Sequence, residues 1–261
     1  MPLHIACVRH RPAFGQPGSC DAMRRYDNAL ITGASRGLGA ALAREMAARG
    51  YRLLLVARRT DELETLAATL HSAHGTLVES LGADLTDPAA PLRCAQAAEQ
   101  RLGAVDVLIN NAGIGQYKPL VEWTAREIAD CNALNLTAPM LLTHALVPAM
   151  LRRRRGMVVN IASDLARRYL ANMAPYVATK FGLLGFSGSL LREVKDYGVK
   201  VTTVMPGIID TAFGGAVEGS RDASWSLRPA LLATQIADLL ELPDNVVLDE
   251  LTIHPLRQDQ Y

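Results

Sequence analysis

The sequence predicts an α/β fold, a doubly wound parallel sheet of seven strands with helices on both faces. Three observations predict it. Short runs rich in Val, Ile and Leu recur along the 261 residues, continuous rather than alternating, as expected of strands buried on both faces. Amphipathic segments of about 12 to 25 residues separate them, long enough for helices. No linker rich in Pro, Gly or Ser divides the chain and no internal repeat is present, so right-handed strand–helix–strand units account for its length.

In order, the apolar run Ala29–Thr32 is the first strand and Leu38–Arg49 the first helix. The uninterrupted Leu53–Ala57 run makes Arg52–Ala57 a strand, followed by a helix over Asp61–Ala73, a strand over Thr76–Ala83 and a helix over Pro88–Arg101. Val105–Asn110 reads as a strand, Ala125–Leu151 as one long helix, Met157–Ile161 as a strand and Tyr176–Tyr197 as a helix. Strand Lys200–Met205, helix Pro229–Glu241 and strand Val246–Ile253 complete the set. Residues 207–228, rich in Gly, Ser and Ala with weak periodicity, fit a mobile substrate loop better than a plain connection.

Hydrophobic residues make up 49% and charged residues 20% of the chain, which places it among soluble globular proteins. A net charge of +1 and 5% aromatic residues give no footprint for nucleic acid or an anionic membrane. No apolar run of about 18 residues proposes a transmembrane helix. The four cysteines are scattered without a CxxC pair, which suggests reduced thiols, a cytoplasmic location and no metal site. Residues 1–27 lack the apolar stretch of a secretory signal; a disordered extension is expected there, or a natural start at Met23. Residues 28–261 are expected to form a single catalytic domain.

The first strand runs into Gly33, Ala34, Ser35, Arg36, Gly37, Leu38 and Gly39, with a helix directly after. Glycine suits a tight strand-to-helix turn and close approach of a phosphate, and the helix start aims free N–H groups at an anion. A dinucleotide is therefore expected here. NAD-binding folds usually carry an acid after the second strand; here Arg58 and Arg59 stand in its place, with Arg36 in the glycine loop. Guanidinium groups bind phosphate through paired, charge-assisted hydrogen bonds, so the expected cofactor is NADP(H), with a 2′-phosphate against these arginines.

Tyr176 and Lys180 lie four apart at the start of a helix, on one face. A phenol has a pKa of about 10, and a neighbouring ammonium moves it toward neutrality, as an acid/base at a carbonyl oxygen needs. Ser163 precedes Tyr176 by 13 residues and Asn135 precedes Ser163 by 28; the serine hydroxyl can bond a substrate oxygen.

Thr32, Gly33, Gly37 and Gly39 together with the Asn135, Ser163, Tyr176 and Lys180 spacing resemble the short-chain dehydrogenase/reductase family. The resemblance implies a Rossmann-type fold and a catalytic tetrad of Asn135, Ser163, Tyr176 and Lys180. It implies cofactor contacts at Asp84 and Leu85 around adenine, and at Asn111, Ala112 and Gly113 of the Asn-Asn-Ala-Gly motif. Asn110 of that motif also has a structural reading. Pro206, Gly207, Ile209 and Thr211 would face the nicotinamide end. Relatives assemble through the two long helices flanking the fifth strand, so a homo-oligomer, a dimer or tetramer, is expected.

The expected activity is interconversion of a carbonyl and an alcohol. The C-terminal stretch from Leu242 to Pro255 looks more like the tails of 3-hydroxy acid dehydrogenases than the Val-Asp-Gly-Gly type of 3-oxoacyl carrier-protein reductases. The thioester reductase reading stays as the alternative, and a non-catalytic NADP(H)-sensing protein as a remoter one. Leu165, Arg168, Tyr169, Ile208, Phe213 and Trp225 are expected on the substrate wall. The arginine run 152–155 reads as a solvated turn or as a docking patch for an acidic carrier.

Overall fold

The computed structural model describes residues 26–258, so most of the expected N-terminal extension lies outside the described residues. Seven parallel strands form one sheet: β1 (Asn28–Thr32), β2 (Arg52–Ala57), β3 (Val78–Gly82), β4 (Val107–Asn110), β5 (Gly156–Ile161), β6 (Val199–Pro206) and β7 (Glu250–Ile253). Their order is β3-β2-β1-β4-β5-β6-β7. The chain winds outward one way from β1 and the other way from β4, so the crevice between these strands opens at their carboxyl ends.

Side-chain parity explains the two faces. Along β2, Leu53 and Leu55 enter one core with Leu42 and Met46 of α1 (Gly37–Ala48), Leu63 of α2 (Thr60–His74) and Ile236 of α7 (Pro229–Leu240). Leu54 and Val56 point the other way. They meet Ala98 of α3 (Ala90–Leu102), Leu142 of α5 (Ala138–Arg153) and Leu190 of α6 (Ala174–Val194). Each fully buried leucine contributes about 1.5–3 kcal/mol, which is why the strand reads as an unbroken apolar run.

Two strands are shorter than their apolar runs suggest. β7 begins only at Glu250, because Val246 and Leu248 are 40% and 37% exposed in the preceding turn. β3 spans Val78–Gly82 rather than the longer stretch from Thr76 to Ala83. The expected long helix is α4 (Ala125–Asn132), a π-helical turn (Ala133–Thr137) and α5 run together. This 29-residue helix is apolar enough to cross a membrane by length and composition, yet it carries core residues such as Leu142 and Leu146.

The arginine run sits at the amino ends of the strands, opposite the crevice. Arg153 donates to Val105 O at 2.8 Å, Arg154 to Asp196 O at 2.8 Å, and Arg155 to Asp27 at 2.8 Å. Arg154 ends α5 in the left-handed region, with φ of 51°. Three of the four arginines thus bond groups of their own chain at the surface, which favours the solvated structural turn over the carrier-docking patch.

Candidate active site

β1 ends at Thr32, whose hydroxyl fastens two loops together. It donates to Ile109 O at 3.3 Å and accepts from the N–H groups of Asn111 and Ala112, each at 3.0 Å. Asn111 Nδ2 returns bonds to Thr32 O at 2.9 Å and Gly33 O at 3.2 Å. Space here admits only glycine: a Cβ on Gly33 (φ +65°) would lie 2.8 Å from Ala112 Cα, and one on Gly39 would lie 2.2 Å from Gly33 O. No side chain caps α1 and its first turn holds no acid, so its terminal N–H groups and positive dipole end are left for an anion. A pyrophosphate fits that cradle.

Asn110 points elsewhere. Its Nδ2 donates to Asn160 Oδ1 at 2.8 Å, and Asn160 Nδ2 donates to Ser187 Oγ at 2.8 Å. That buried chain ties β4 to β5 and α6, a structural task next to the cofactor-facing Asn111.

A cavity of about 750 Å³ runs along the carboxyl ends of the strands. Every residue expected at the cofactor lines it except Asp84. The Asp84 carboxylate is turned to Thr86, accepting from its N–H at 3.0 Å and its hydroxyl at 2.8 Å. Arg36, Arg58 and Arg59 line one end. Arg58 lies 4.0 Å from Asp84, and Arg59 lies 2.8 Å from Glu62; both pairs are exposed and cost little to exchange for a phosphate.

At the other end the four expected catalytic residues come together from three elements: the π turn, the turn after β5, and α6. Ser163 follows β5; its Oγ donates to Asp164 Oδ1 at 3.1 Å and accepts from Leu165 N–H at 3.2 Å. Tyr176 lies in the first turn of α6 and Lys180 one turn on, its Nζ 5.5 Å from the phenol ring centre. Lys180 Nζ donates to Ile161 O at 2.9 Å. Asn135, in the π turn, stands behind the wall. Its Oδ1 accepts from Ile114 N–H at 2.8 Å while its Nδ2 donates to Ile114 O at 2.8 Å and Thr179 Oγ1 at 3.1 Å. It holds the loop that brings Gly113 beside Lys180: a Cβ there would lie 3.7 Å from Nζ.

A short chain dehydrogenase profile matches residues 27–221. The chain belongs to the short-chain dehydrogenase family. It is 35% identical over 195 residues to 3-oxoacyl-(acyl-carrier-protein) reductase of Escherichia coli (strain K12), covering 75% of this chain and 78% of that protein. It is 38% identical over 184 residues to nodulation protein G of Rhizobium sp. (strain N33), 70% of this chain and 74% of that one. Among solved structures, an alcohol dehydrogenase from Thermococcus sibiricus complexed with 5-hydroxy-NADP superposes with a TM-score of 0.85 at 31% identity, covering 90% of this chain and 99% of that one. A short-chain dehydrogenase from Sphingobium yanoikuyae in complex with NADPH gives 0.78 at 33% identity, covering 88% of each chain.

In this short-chain dehydrogenase, burial sets the titration of the pair. Desolvation raises Tyr176 above its ordinary value, a hydrogen bond shared with Ser163 pulls it back, and the charge of Asp164 adds to the rise. Desolvation lowers Lys180 to about 8, against 10.5 ordinarily. The substrate end is lined largely by apolar side chains. Leu165, Ile208, Phe213 and Trp225 line it as expected, and the Phe213 ring tilts against Tyr176 at 5.6 Å. A Cβ on Gly115 would lie 2.8 Å from Tyr176 and 2.9 Å from Phe213.

Arg168 and Tyr169 do not line the wall, a correction to the expectation. Tyr169 is 80% exposed and stacks on Phe181 at 5.4 Å. Tyr117, Leu170, Met173, Arg221 and Gln258 line it instead; none belongs to a motif, so none carried a signal in the sequence. The loop 207–228 is fastened from within. Buried Asp210 accepts from the N–H groups of Gly219 at 3.0 Å and Arg221 at 3.2 Å and pairs with Arg228.

Proposed function

We propose that this oxidoreductase uses NADP(H) to interconvert a carbonyl and a primary or secondary alcohol, with Tyr176 as general acid and base. The observation that carries the reading is one cavity with three arginines at one end and Ser163, Tyr176 and Lys180 at the other. The NADP and NADPH named for the solved relatives support the cofactor.

When bound, the dinucleotide supplies or accepts hydride. The chain supplies the rest. Gly33, Ser35, Gly37, Leu38 and Gly39 cradle the pyrophosphate, Leu85 flanks the adenine, and Arg36, Arg58 and Arg59 take the 2′-phosphate. Asn111, Ala112, Gly113, Pro206, Gly207, Ile209 and Thr211 frame the nicotinamide end. The Tyr176 hydroxyl gives its proton to the carbonyl oxygen in reduction and recovers it in oxidation. Lys180 ammonium favours the phenolate, and Asn135 keeps the Gly113 loop against it. Ser163 orients the substrate oxygen.

The apolar wall of Leu165, Met173, Phe213 and Trp225 suits a mostly apolar small carbonyl, while the 3-hydroxy acid type of substrate rests on the look of the stretch from Leu242 to Pro255. The carrier-protein reductases among the relatives favour a second reading, 3-oxoacyl thioester reduction. A homo-oligomer, dimer or tetramer, in the cytoplasm belongs to the same proposal. A Cβ on Gly185 of α6 would meet nothing within 4 Å, so that glycine leaves room for another helix rather than for its own core.

The test is loss of NADPH absorbance with small 3-oxo acids, aldehydes, apolar ketones and 3-oxoacyl thioesters, beside Tyr176→Phe. Turnover that falls at least about a hundredfold in the variant upholds the reading. Turnover on nothing, or turnover indifferent to Tyr176, removes it.

A further inference from the structure

The turn after β5 holds a charged group that the proposed chemistry does not use. Asp164, next to Ser163, is 6% exposed and lines the same cavity. A carboxylate only accepts hydrogen bonds, so the Ser163 hydroxyl donates to Asp164 Oδ1 at 3.1 Å until a substrate oxygen takes up the same proton. Leu165 N–H donates into the serine oxygen at 3.2 Å. With two directions around Oγ occupied by protein, the remaining one faces Tyr176, which shares a hydrogen bond with Ser163. Rotating the serine away would leave a buried acceptor and a buried N–H without this partner.

Asp164 is itself held from the far end of the chain. Gln258 Nε2 donates to its Oδ2 at 2.8 Å, while Gln258 Oε1 accepts from Ile208 N–H at 2.8 Å. One amide therefore spans the serine turn and the loop after Pro206. Gly207 makes room for it: a Cβ there would lie 2.1 Å from Gln258 Oε1 and 2.8 Å from His254 Cδ2. The ionisable groups facing Asp164 are Tyr176 from α6 and His254 from beyond β7, its Nε2 3.5 Å from Oδ2. The Arg167 guanidinium of the same turn is taken by Glu250 of β7.

We propose that Asp164 is a positioning residue for the Ser163 hydroxyl, and that Gln258 holds Asp164 for that task. The proposal rests on the carbonyl–alcohol reading above and adds a residue pair to it. The C-terminal segment thereby becomes part of the reaction's scaffold. Asp164 also keeps a negative charge facing Tyr176, so the same residue fixes where the serine points and how readily the phenol ionises.

Two measurements on the full chain test this. In turnover, Asp164→Ala should lower kcat about tenfold with the carbonyl KM and the NADPH Kd changed by less than about twofold. Asp164→Asn, which still accepts from Ser163, should restore kcat to within about threefold of the parent. Gln258→Ala should lower kcat by about threefold at an unchanged melting temperature. In the second measurement, the near-ultraviolet phenolate absorbance of the protein minus that of its Tyr176→Phe counterpart gives the Tyr176 titration. With Asp164→Asn its midpoint should move to lower pH by about half a unit or more. Wild-type kcat in a folded Asp164→Ala, or a Tyr176 titration unmoved by Asp164→Asn, overturns the proposal. If Asp164→Ala does not fold, Gln258→Ala and the titration decide. The titration needs no turnover, so it also decides if the parent protein reduces nothing and the reductase reading fails.

Discussion

Lys180 and Tyr176 face each other across one turn of α6, the ammonium 5.5 Å from the centre of the phenol ring and both side chains buried. Burial acts on the two in opposite directions on the pH scale, raising the phenol and lowering the amine to about 8. The pair therefore has a working range in which the phenol is protonated and the amine still charged.

The first prediction concerns that range. The kcat/KM for carbonyl reduction, which reports the free enzyme, should fall on the alkaline side from near pH 8 as Lys180 loses its proton. Stability carries the opposite sign. An unfolded lysine titrates near 10.5, so between about 8 and 10.5 the unfolded chain binds more protons than the folded one. The contribution of Lys180 to stability is thus unfavourable below pH 8 and improves as pH rises through that window. Denaturant unfolding of the protein and of Lys180→Met, compared from pH 7 to 10, reads it. A stability difference that does not change across this window, or that changes with the opposite sign, contradicts the assignment.

Arg58 and Arg59 should discriminate between the two nicotinamide dinucleotides. Replacing either by Ala removes a charge-assisted contact of about 1.5–3 kcal/mol to a 2′-phosphate. The NADPH Kd should rise tenfold or more and the NADH Kd stay put, with the NADPH loss shrinking in high salt. Fluorescence titration with both cofactors measures this, and equal losses for the two would rule out the phosphate contact.

Gly39 and Gly185 make a matched pair of glycine substitutions. A methyl at Gly39 would lie 2.2 Å from Gly33 O and 2.6 Å from Asn111 Nδ2, so Gly39→Ala should distort the loop and abolish NADPH binding. A methyl at Gly185 meets nothing within its own chain. Gly185→Ala should leave the fold intact, with helix propensity improved by about 1 kcal/mol, while weakening self-association. Thermal unfolding and sedimentation separate the two effects.

Asn135→Ala should cost about 2 to 4 kcal/mol, because the N–H of Ile114 loses its side-chain partner and its C=O keeps only the weak thiol of Cys131 at 3.8 Å. Turnover should fall further than stability alone explains, since the Gly113 loop then loses its place against Lys180. Urea unfolding and kcat on the same preparation test both halves.

Much of this was legible in the sequence, and the reasons differ by region. The inner strands announced themselves because both faces are buried, so every residue of Leu53–Val56 had to be apolar. β7 was legible at its end but not at its start, since its side chains alternate between exposed and half-buried and the apolar residues before it drew the strand back to Val246. The glycine loop and the Ser163, Tyr176 and Lys180 set were legible because close backbone approach and proton transfer admit few residue types at fixed spacing. The group that holds Asp164 was not: Gln258 lies 94 residues from it, and only folding brings them together. Arg168 and Tyr169 were misplaced because nearness in sequence to Ser163 says nothing about which side of the turn a side chain takes.

The π turn at Ala133–Thr137 closes with Ala138 N–H bonded to Ala133 O, five residues back, where a regular helix would bond four back. One residue is therefore surplus to the helical repeat, and each residue in a regular helix turns the face by about 100°. Deleting any one residue of this segment would let α4 and α5 fuse into a straight rod and swing the upstream face by that angle, even if Asn135 itself were kept. The placement of Asn135 is thus encoded in chain length as much as in residue identity. A comparison that scores only which residue stands where would miss an insertion or loss that moves it. Counting residues between Thr124, which caps α4, and Pro139, near the start of α5, is the more telling check for any variant of this protein.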